Sequence, residues 1–383
     1  MKFLKKLLKW VAILFGLLII TLYVTDTDYL LKAVRTIYMK GHTTAYLEDY
    51  KHFDNKPLDI GTPQPWPNHK DYNSVKETET LKNVNAQNGT IAYVIIKNDS
   101  IWFENYYDGF DEDSKSNSFS MAKSYVSALL GKAIMDGYIK NLDQPVCDFI
   151  PEFCEGEAAK MTVGDLSSMA SGTNWDERYY SPFSITTRAY FDDDLTKVMT
   201  GLKVVREPGT SYKYASGDTQ MLAIAIERAS GKKLYDYLTE SFWEPLGSEN
   251  QALWQVDSED HDLVKAYCCI ASNAKDFARM GKLYKDHGKW NGKQLLDSAF
   301  IAKSITPRFT ESPEYGYGWW LKTVGDKHFF MMRGHLGQYV IVEPNDNVII
   351  VRLGHSKGPG DAVASFTPDI SAYINEAYKM LEQ

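Results

Sequence analysis

The chain has 383 residues, 44% of them hydrophobic, and a formal net charge of -8. That length allows one large domain or two smaller ones around a substantial core. Acids and bases are mixed along the chain, and the lack of a basic face argues against nucleic acid as a partner.

The N-terminus is the clearest targeting signal. Lys2, Lys5, Lys6 and Lys9 form a basic tail over 1–9, followed by the uncharged, mostly apolar run "WVAILFGLLIITLYVT" over 10–25. As a helix that run spans about 24 Å, slightly short of a hydrocarbon core. A secretory signal peptide has a similar profile, but no Ala-x-Ala site or lipobox cysteine follows. The expectation is an uncleaved transmembrane anchor, with a cleaved signal as the alternative. In both, the lysines stay inside and the rest is exported to the periplasmic or extracytoplasmic side.

Residues 26–80 read as a juxtamembrane amphipathic helix and a linker, because "KPLDIGTPQPWPNHKDYN" carries four prolines and a glycine. Two β-rich runs follow in "GTIAYVIIKNDSIWFENYYDGF", joined at Asn98-Asp99 as a hairpin. An apolar helix opens near Ser120, with Val126, Leu129, Leu130, Ala133 and Ile134 as its buried stripe. From about 140 to 300 the pattern is mainly helical. It includes a helix over 217–230 closed by Gly231, and another N-capped by Ser272. Strands return over 328–356 around a turn at Pro344–Asn347, and 367–383 closes the chain as a helix. Strands at both ends with helices between them predict an α+β fold. In it, one antiparallel sheet forms from the N- and C-terminal segments, with flanking helices and a large, mainly helical insert.

Cys147 and Cys154 flank a short proline-containing loop, where an exported chain has either a disulfide or two thiols. Cys268 and Cys269 lie in an apolar run and read as buried small hydrophobes. No Cys-x-x-Cys or His-Glu-x-x-His spacing occurs, so neither a metal nor a cofactor is expected. Asp192–Asp194 reads as a solvated loop.

Ser120/Lys123 is one of three Ser-x-x-Lys pairs, beside Ser230/Lys233 and Ser272/Lys275. Composition alone supplies about two by chance, so the spacing is weak by itself. Ser120 differs in leading into a strongly apolar helix. There Lys123 shares its face one turn on, and the helix N-terminus favours a developing anion. Desolvation would lower the lysine pKa enough for base catalysis near neutrality. Two later stretches matter. In "REPGTSYKYASGDTQ", Tyr214 stands two residues before Ser216 in a loop ahead of a helix. In "RGHLGQYVIV", Gly334 and Gly337 bracket His335 at a strand start, where glycines permit close backbone approach. Taken singly, these read as a loop tyrosine and a strand-edge histidine.

In this order and around a helical insert, the three stretches resemble the penicillin-recognising serine hydrolases. That family includes class C β-lactamases, D-alanyl-D-alanine carboxypeptidases and related esterases and amidases. Ser120 and Lys123 match its first motif, Tyr214 and Ser216 in "YAS" its second, and His335 and Gly337 in "HLG" its third. The likeness covers about residues 80–380 and is closest to the 6-aminohexanoate-dimer hydrolase branch, through "MTVGDLSSMASGTNWDERYY" and "GHLGQYVIVEPNDNVIIVRL".

The resemblance implies a β-lactamase/transpeptidase-like fold, with the hydrolase domain at 81–383, and a small-molecule ester or amide substrate. It implies attack by Ser120 Oγ, with Lys123 and Tyr214 sharing the base role. It places the oxyanion between the backbone N–H groups of Ser120 and Gln338. Ser216, His335, Gly337 and Tyr179 fall on the substrate side, with Ser216 bonding either Lys123 or substrate. There are two departures from the family pattern. His335 replaces the usual lysine and is mostly neutral at pH 7, and Ser216 replaces asparagine. Both favour an esterase or small-amide hydrolase over a β-lactamase or D-alanyl-D-alanine carboxypeptidase. Arg333 reads as a nearby positive charge or a surface salt bridge. The rival classes are a non-catalytic binding or sensor domain on the same fold and a structural membrane-tethered protein. A Ser-His-Asp α/β-hydrolase would need Gly-x-Ser-x-Gly, which the chain lacks. The oligomeric state stays open.

Overall fold

The structure, a computed structural model, describes residues 1–360 and 366–383. Its strands are Asn55–Leu58 (β1), Thr90–Lys97 (β2), Ser100–Tyr106 (β3), Ser116–Asn117 (β4), Ala252–Gln255 (β5), Ile270–Ser272 (β6), Lys289–Trp290 (β7), Lys293–Gln294 (β8), Trp320–Val324 (β9), Lys327–Gly334 (β10), Gln338–Glu343 (β11) and Val348–Gly354 (β12).

Six strands form an antiparallel sheet in the order β3-β2-β12-β11-β10-β9. The turn between β2 and β3 is the expected Asn98-Asp99 pair, both at positive φ (50° and 60°), which these residues tolerate in a tight hairpin. β2 and β12 are neighbours, with Val348 opposite Lys97. The sheet is therefore built from both ends of the chain, as the strand pattern predicts. Alternate side chains face opposite layers. Tyr93 and Ile95 pack with Tyr373 and Ile374 of the helix Pro368–Leu381. Val94 and Ile96 pack with the core that holds Phe277 and Met280 of the helix Ala274–Lys285.

The insert holds more than helices. β5 and β6 form a second sheet in the order β1-β5-β6-β4, and β7 and β8 form a hairpin. The helix Ser216–Ser230 ends at Gly231, φ 69°, as the sequence predicts. The helix Ala274–Lys285 is capped by Asn273, whose side chain accepts from Asp276 N at 2.8 Å. Ser272, the expected cap, instead pairs with Ser116 in the sheet one residue earlier. Cys147 and Cys154 are disulfide-bonded. Cys268 and Cys269, expected as separate hydrophobes, are buried but also joined to each other.

The helix Lys2–Val24 (α1) is long and apolar enough to cross a membrane and has no buried residue. Residues 26–80 differ from a free linker. The helix Tyr29–Thr36 (α2) is docked: Tyr29 Oη donates to the Pro182 carbonyl (3.0 Å), and Lys32 Nζ to the Asp257 carbonyl (3.0 Å). Asp26 pairs with Lys197 (2.8 Å) and Arg188. Leu47, Phe53 and Leu58 join the core. The prolines do keep the following stretch extended, and Pro57 sits exposed on the edge strand β1. Trp66 Nε1 nevertheless ties that stretch to the body through the Lys275 carbonyl (3.1 Å).

Candidate active site

Ser120 lies in a single 3-10 turn, Phe119–Met121, that runs directly into the helix Ala122–Met135. Phe119 takes φ 45°, a strained conformation for a side-chain-bearing residue that persists only when its surroundings enforce it. Those surroundings are identifiable. Phe119 N donates to Asn117 Oδ1 (2.8 Å), Asn117 Nδ2 donates to the buried Asp49 carboxylate (3.0 Å), and Ser118 N donates to the Ile270 carbonyl (2.7 Å).

The helix that follows buries Val126, Leu129, Leu130 and Ala133 completely, and Ile134 partly. That packing carries Lys123 inward until it is 3% exposed. Lys123 Nζ donates to Ser120 Oγ at 2.8 Å and to the Tyr267 carbonyl at 2.7 Å. Burial pushes the lysine pKa down to about 7, against an upward pull from the Glu177 carboxylate. An amine stripped of water carries a charge only at a cost, so near neutrality about half of this group is neutral and able to accept a proton.

Tyr214 is buried in the loop before the helix Ser216–Ser230, with the Lys123 ammonium 5.1 Å from its ring centroid. Burial and the Glu177 charge hold its hydroxyl above the ordinary tyrosine pKa, while a hydrogen bond with Ser120 pulls the other way. At neutral pH it is a phenol, and Lys123 is the partner of Ser120 that titrates near 7.

Ser216 does not turn toward the lysine. Its Oγ donates to Glu177 Oε1 (2.5 Å) and its backbone N–H to Oε2 (2.8 Å). Tyr179 Oη also donates to Glu177 (2.7 Å), as does the Trp175 indole. Glu177 therefore gathers four donors, although in "WDERYY" nothing local sets it apart from its charged neighbours. Of the two adjacent tyrosines, Tyr179 joins this cluster while Tyr180 stands 72% exposed at the rim.

His335, Leu336 and Gly337 make the turn between β10 and β11, where Gly334 pairs with Gln338. A Cβ on Gly334 would lie 2.2 Å from the Ser118 carbonyl, and one on Gly337 2.4 Å from Arg352. Glycine at 334 lets this strand end press against the turn that holds Ser120. The His335 ring meets Phe119 (5.5 Å) and Tyr179 (5.2 Å). It is half-buried by exposure but closely surrounded. That burial, assisted by Lys357, pushes its pKa down to about 4. Gln338 is fixed at the start of β11 by its side chain, which donates to the Gly354 carbonyl (2.7 Å) and accepts from Gly354 N (3.1 Å). Arg333 is no surface charge: it is buried, with its guanidinium 4.1 Å from the Trp320 ring centroid. Ser120, Tyr179, Ser216, Tyr267 and His335 line one cavity of about 420 Å³, with Lys123 and Tyr214 against Ser120 behind them.

Three motif segments meeting at the β10–β11 turn of an antiparallel sheet define a hydrolase of the β-lactamase/transpeptidase-like fold. The beta-lactamase family pattern matches residues 78–371, and the chain belongs to the beta-lactamase family. It is similar to the 6-aminohexanoate-dimer hydrolase of Paenarthrobacter ureafaciens, 24% identical over 292 residues, covering 70% of this chain and 74% of the relative. Among solved structures it resembles a Bacillus anthracis protein assigned as a 6-aminohexanoate-dimer hydrolase. That match has a TM-score of 0.69 and 20% identity, over 91% of this chain and 93% of the other. It also resembles the D-amino acid amidase of Ochrobactrum anthropi SV3, with a TM-score of 0.60 and 16% identity, over 79% and 96% of the two chains.

Proposed function

We propose that this hydrolase cleaves a carboxylic ester or small amide through an acyl-enzyme on Ser120. The observation that supports it best is the 2.8 Å bond between Ser120 Oγ and a buried Lys123 whose pKa is pushed to about 7. Neutral Lys123 takes the hydroxyl proton as Oγ attacks the carbonyl carbon. The backbone N–H groups of Ser120 and Gln338 hold the oxyanion. Tyr214, a phenol beside Ser120, passes the proton to the leaving group as the scissile bond breaks. Water then adds to the acyl-enzyme by the reverse relay and releases the acid. Tyr179, His335 and Gly337 form the substrate wall, and Ser216 acts by bracing Glu177. The neutral His335 offers no cation for a substrate carboxylate. This favours an ester or small amide over a D-alanyl-D-alanine peptide or a β-lactam, in keeping with amide hydrolysis by the named relatives.

On this reading α1 anchors the catalytic domain to a membrane, with the basic tail on the inner side. The test is a fluorophosphonate probe on the full chain. Wild type is labelled and Ser120→Ala is not, while a Ser120→Ala protein that still hydrolyses p-nitrophenyl acetate would disprove the nucleophile assignment. A non-catalytic sensor domain would leave wild type unlabelled.

A further inference from the structure

The reactive serine sits at the bottom of a cleft whose roof belongs to α2, the first element after the apolar N-terminal helix. α1 ends at Val24 and α2 begins at Tyr29. Leu30, Ala33 and Val34 of α2, with Ile37 just beyond it, share the cavity lining with Phe183 and Phe191; Ser120, Ser216 and His335 line it too, as do the hydroxyl residues Thr186 and Thr187. The mouth is apolar too: Val34 is 47% exposed, Tyr38 55% and Phe183 74%. Apolar side chains this exposed and this close together mark a surface that meets lipid or an apolar ligand. α2 is not a loose flap, because the Tyr29, Lys32 and Asp26 contacts fasten it.

We infer that this cleft takes the hydrocarbon chain of a membrane-resident amphiphilic ester or amide, with the scissile carbonyl at Ser120 and the chain lying between α2 and the loop carrying Phe183. The inference rests on the serine hydrolase reading above. Two observations favour a bilayer source over a soluble one. The roof follows the membrane-length helix within five residues, and the exposed apolar rim is formed by that roof and the loop opposite.

The full chain is reconstituted into phosphatidylcholine vesicles and assayed on p-nitrophenyl acetate, butyrate, octanoate and decanoate. Each fully buried methylene is worth roughly fourfold, so even partial burial raises kcat/KM from acetate to decanoate by about tenfold or more. Lipid partitioning alone would also favour the longer esters, so the reading comes from variants. Val34→Asp, at an exposed position, and Ala33→Trp, which fills the cleft, each lower the decanoate-to-acetate ratio by about fivefold or more. If Ala33→Trp does not fold, Val34→Asp carries the test. A flat series, or a ratio unchanged in Val34→Asp, overturns the inference and leaves the serine hydrolase reading standing as long as acetate is cleaved. Failure to cleave any ester, with Ser120 unlabelled by the fluorophosphonate, overturns both.

Discussion

Replacing Glu177 by glutamine removes the one negative charge that holds the Lys123 pKa up, while keeping an acceptor for Ser216 or Tyr179. On the proposed mechanism the acylating base is neutral Lys123, so kcat/KM should rise with pH and reach half its plateau near pH 7. Below that the free-base fraction drops to about one tenth at pH 6 and about one hundredth at pH 5. Loss of a nearby opposite charge shifts a pKa by on the order of one unit. The sign is fixed: without the anion, the ammonium is less favoured, its pKa falls, and the acidic limb moves to lower pH. At pH 6 the Glu177→Gln enzyme should then retain about half of its own plateau. The assay is the pH dependence of kcat/KM for p-nitrophenyl acetate from pH 5 to 9, each profile normalised to its plateau. Asp218, pushed up to about 7 by burial, titrates in the same range. The limb therefore has to survive in Asp218→Asn. A limb that stays put or moves upward in Glu177→Gln, or vanishes in Asp218→Asn, refutes Lys123 as the base.

Three further outcomes are expected. Lys123→Arg keeps a cation that cannot deprotonate, so p-nitrophenyl acetate turnover falls by about 10²–10⁴, while circular dichroism reports whether the helix survives. Gly217→Ala puts a methyl 2.4 Å from the Trp175 ring. The overpacking outweighs the gain in helix propensity and lowers stability by about 1–2 kcal/mol in a denaturant titration. Arg352 donates to the carbonyls of Leu336, Gly337, Ser356 and Asn88. Arg352→Met strands them, which costs about 2–4 kcal/mol and loosens the His335 turn, read as a raised KM for the ester.

The elements legible in the sequence are those whose signal is local. The Asn98-Asp99 hairpin, the Gly231 stop and the helix after Ser120 each carry their own turn chemistry or periodicity. The Ser120, Tyr214 and His335 motifs became meaningful through their order, and the structure brings them to one cavity. What sequence could not show depends on contacts between distant segments. Glu177 becomes a hub only because Trp175, Tyr179 and Ser216 converge on it. Residues 26–80 contain prolines and so read as a tether, but buried Asp49, accepting from Asn117 and Tyr190, makes the segment part of the support of the Ser120 turn. Arg333 has the composition of a surface charge and becomes buried because Trp320 and Phe366 cover it. Ser272 and Asn273 are both good caps, and only the strand pairing of Ser272 separates them.

The pairing of β2 with β12 also sets when the cavity can close. Ser120 and Lys123 leave the ribosome long before the turn at His335 that walls their cavity. Until β10 and β11 have arrived and docked, the turn holding Ser120 lacks the strand ends it packs against, although the helix after it can already rest on Ser216–Ser230. Such non-local pairing folds slowly. The same topology leaves the cavity at Ser120 without one wall until the C-terminal strands of the sheet have been made.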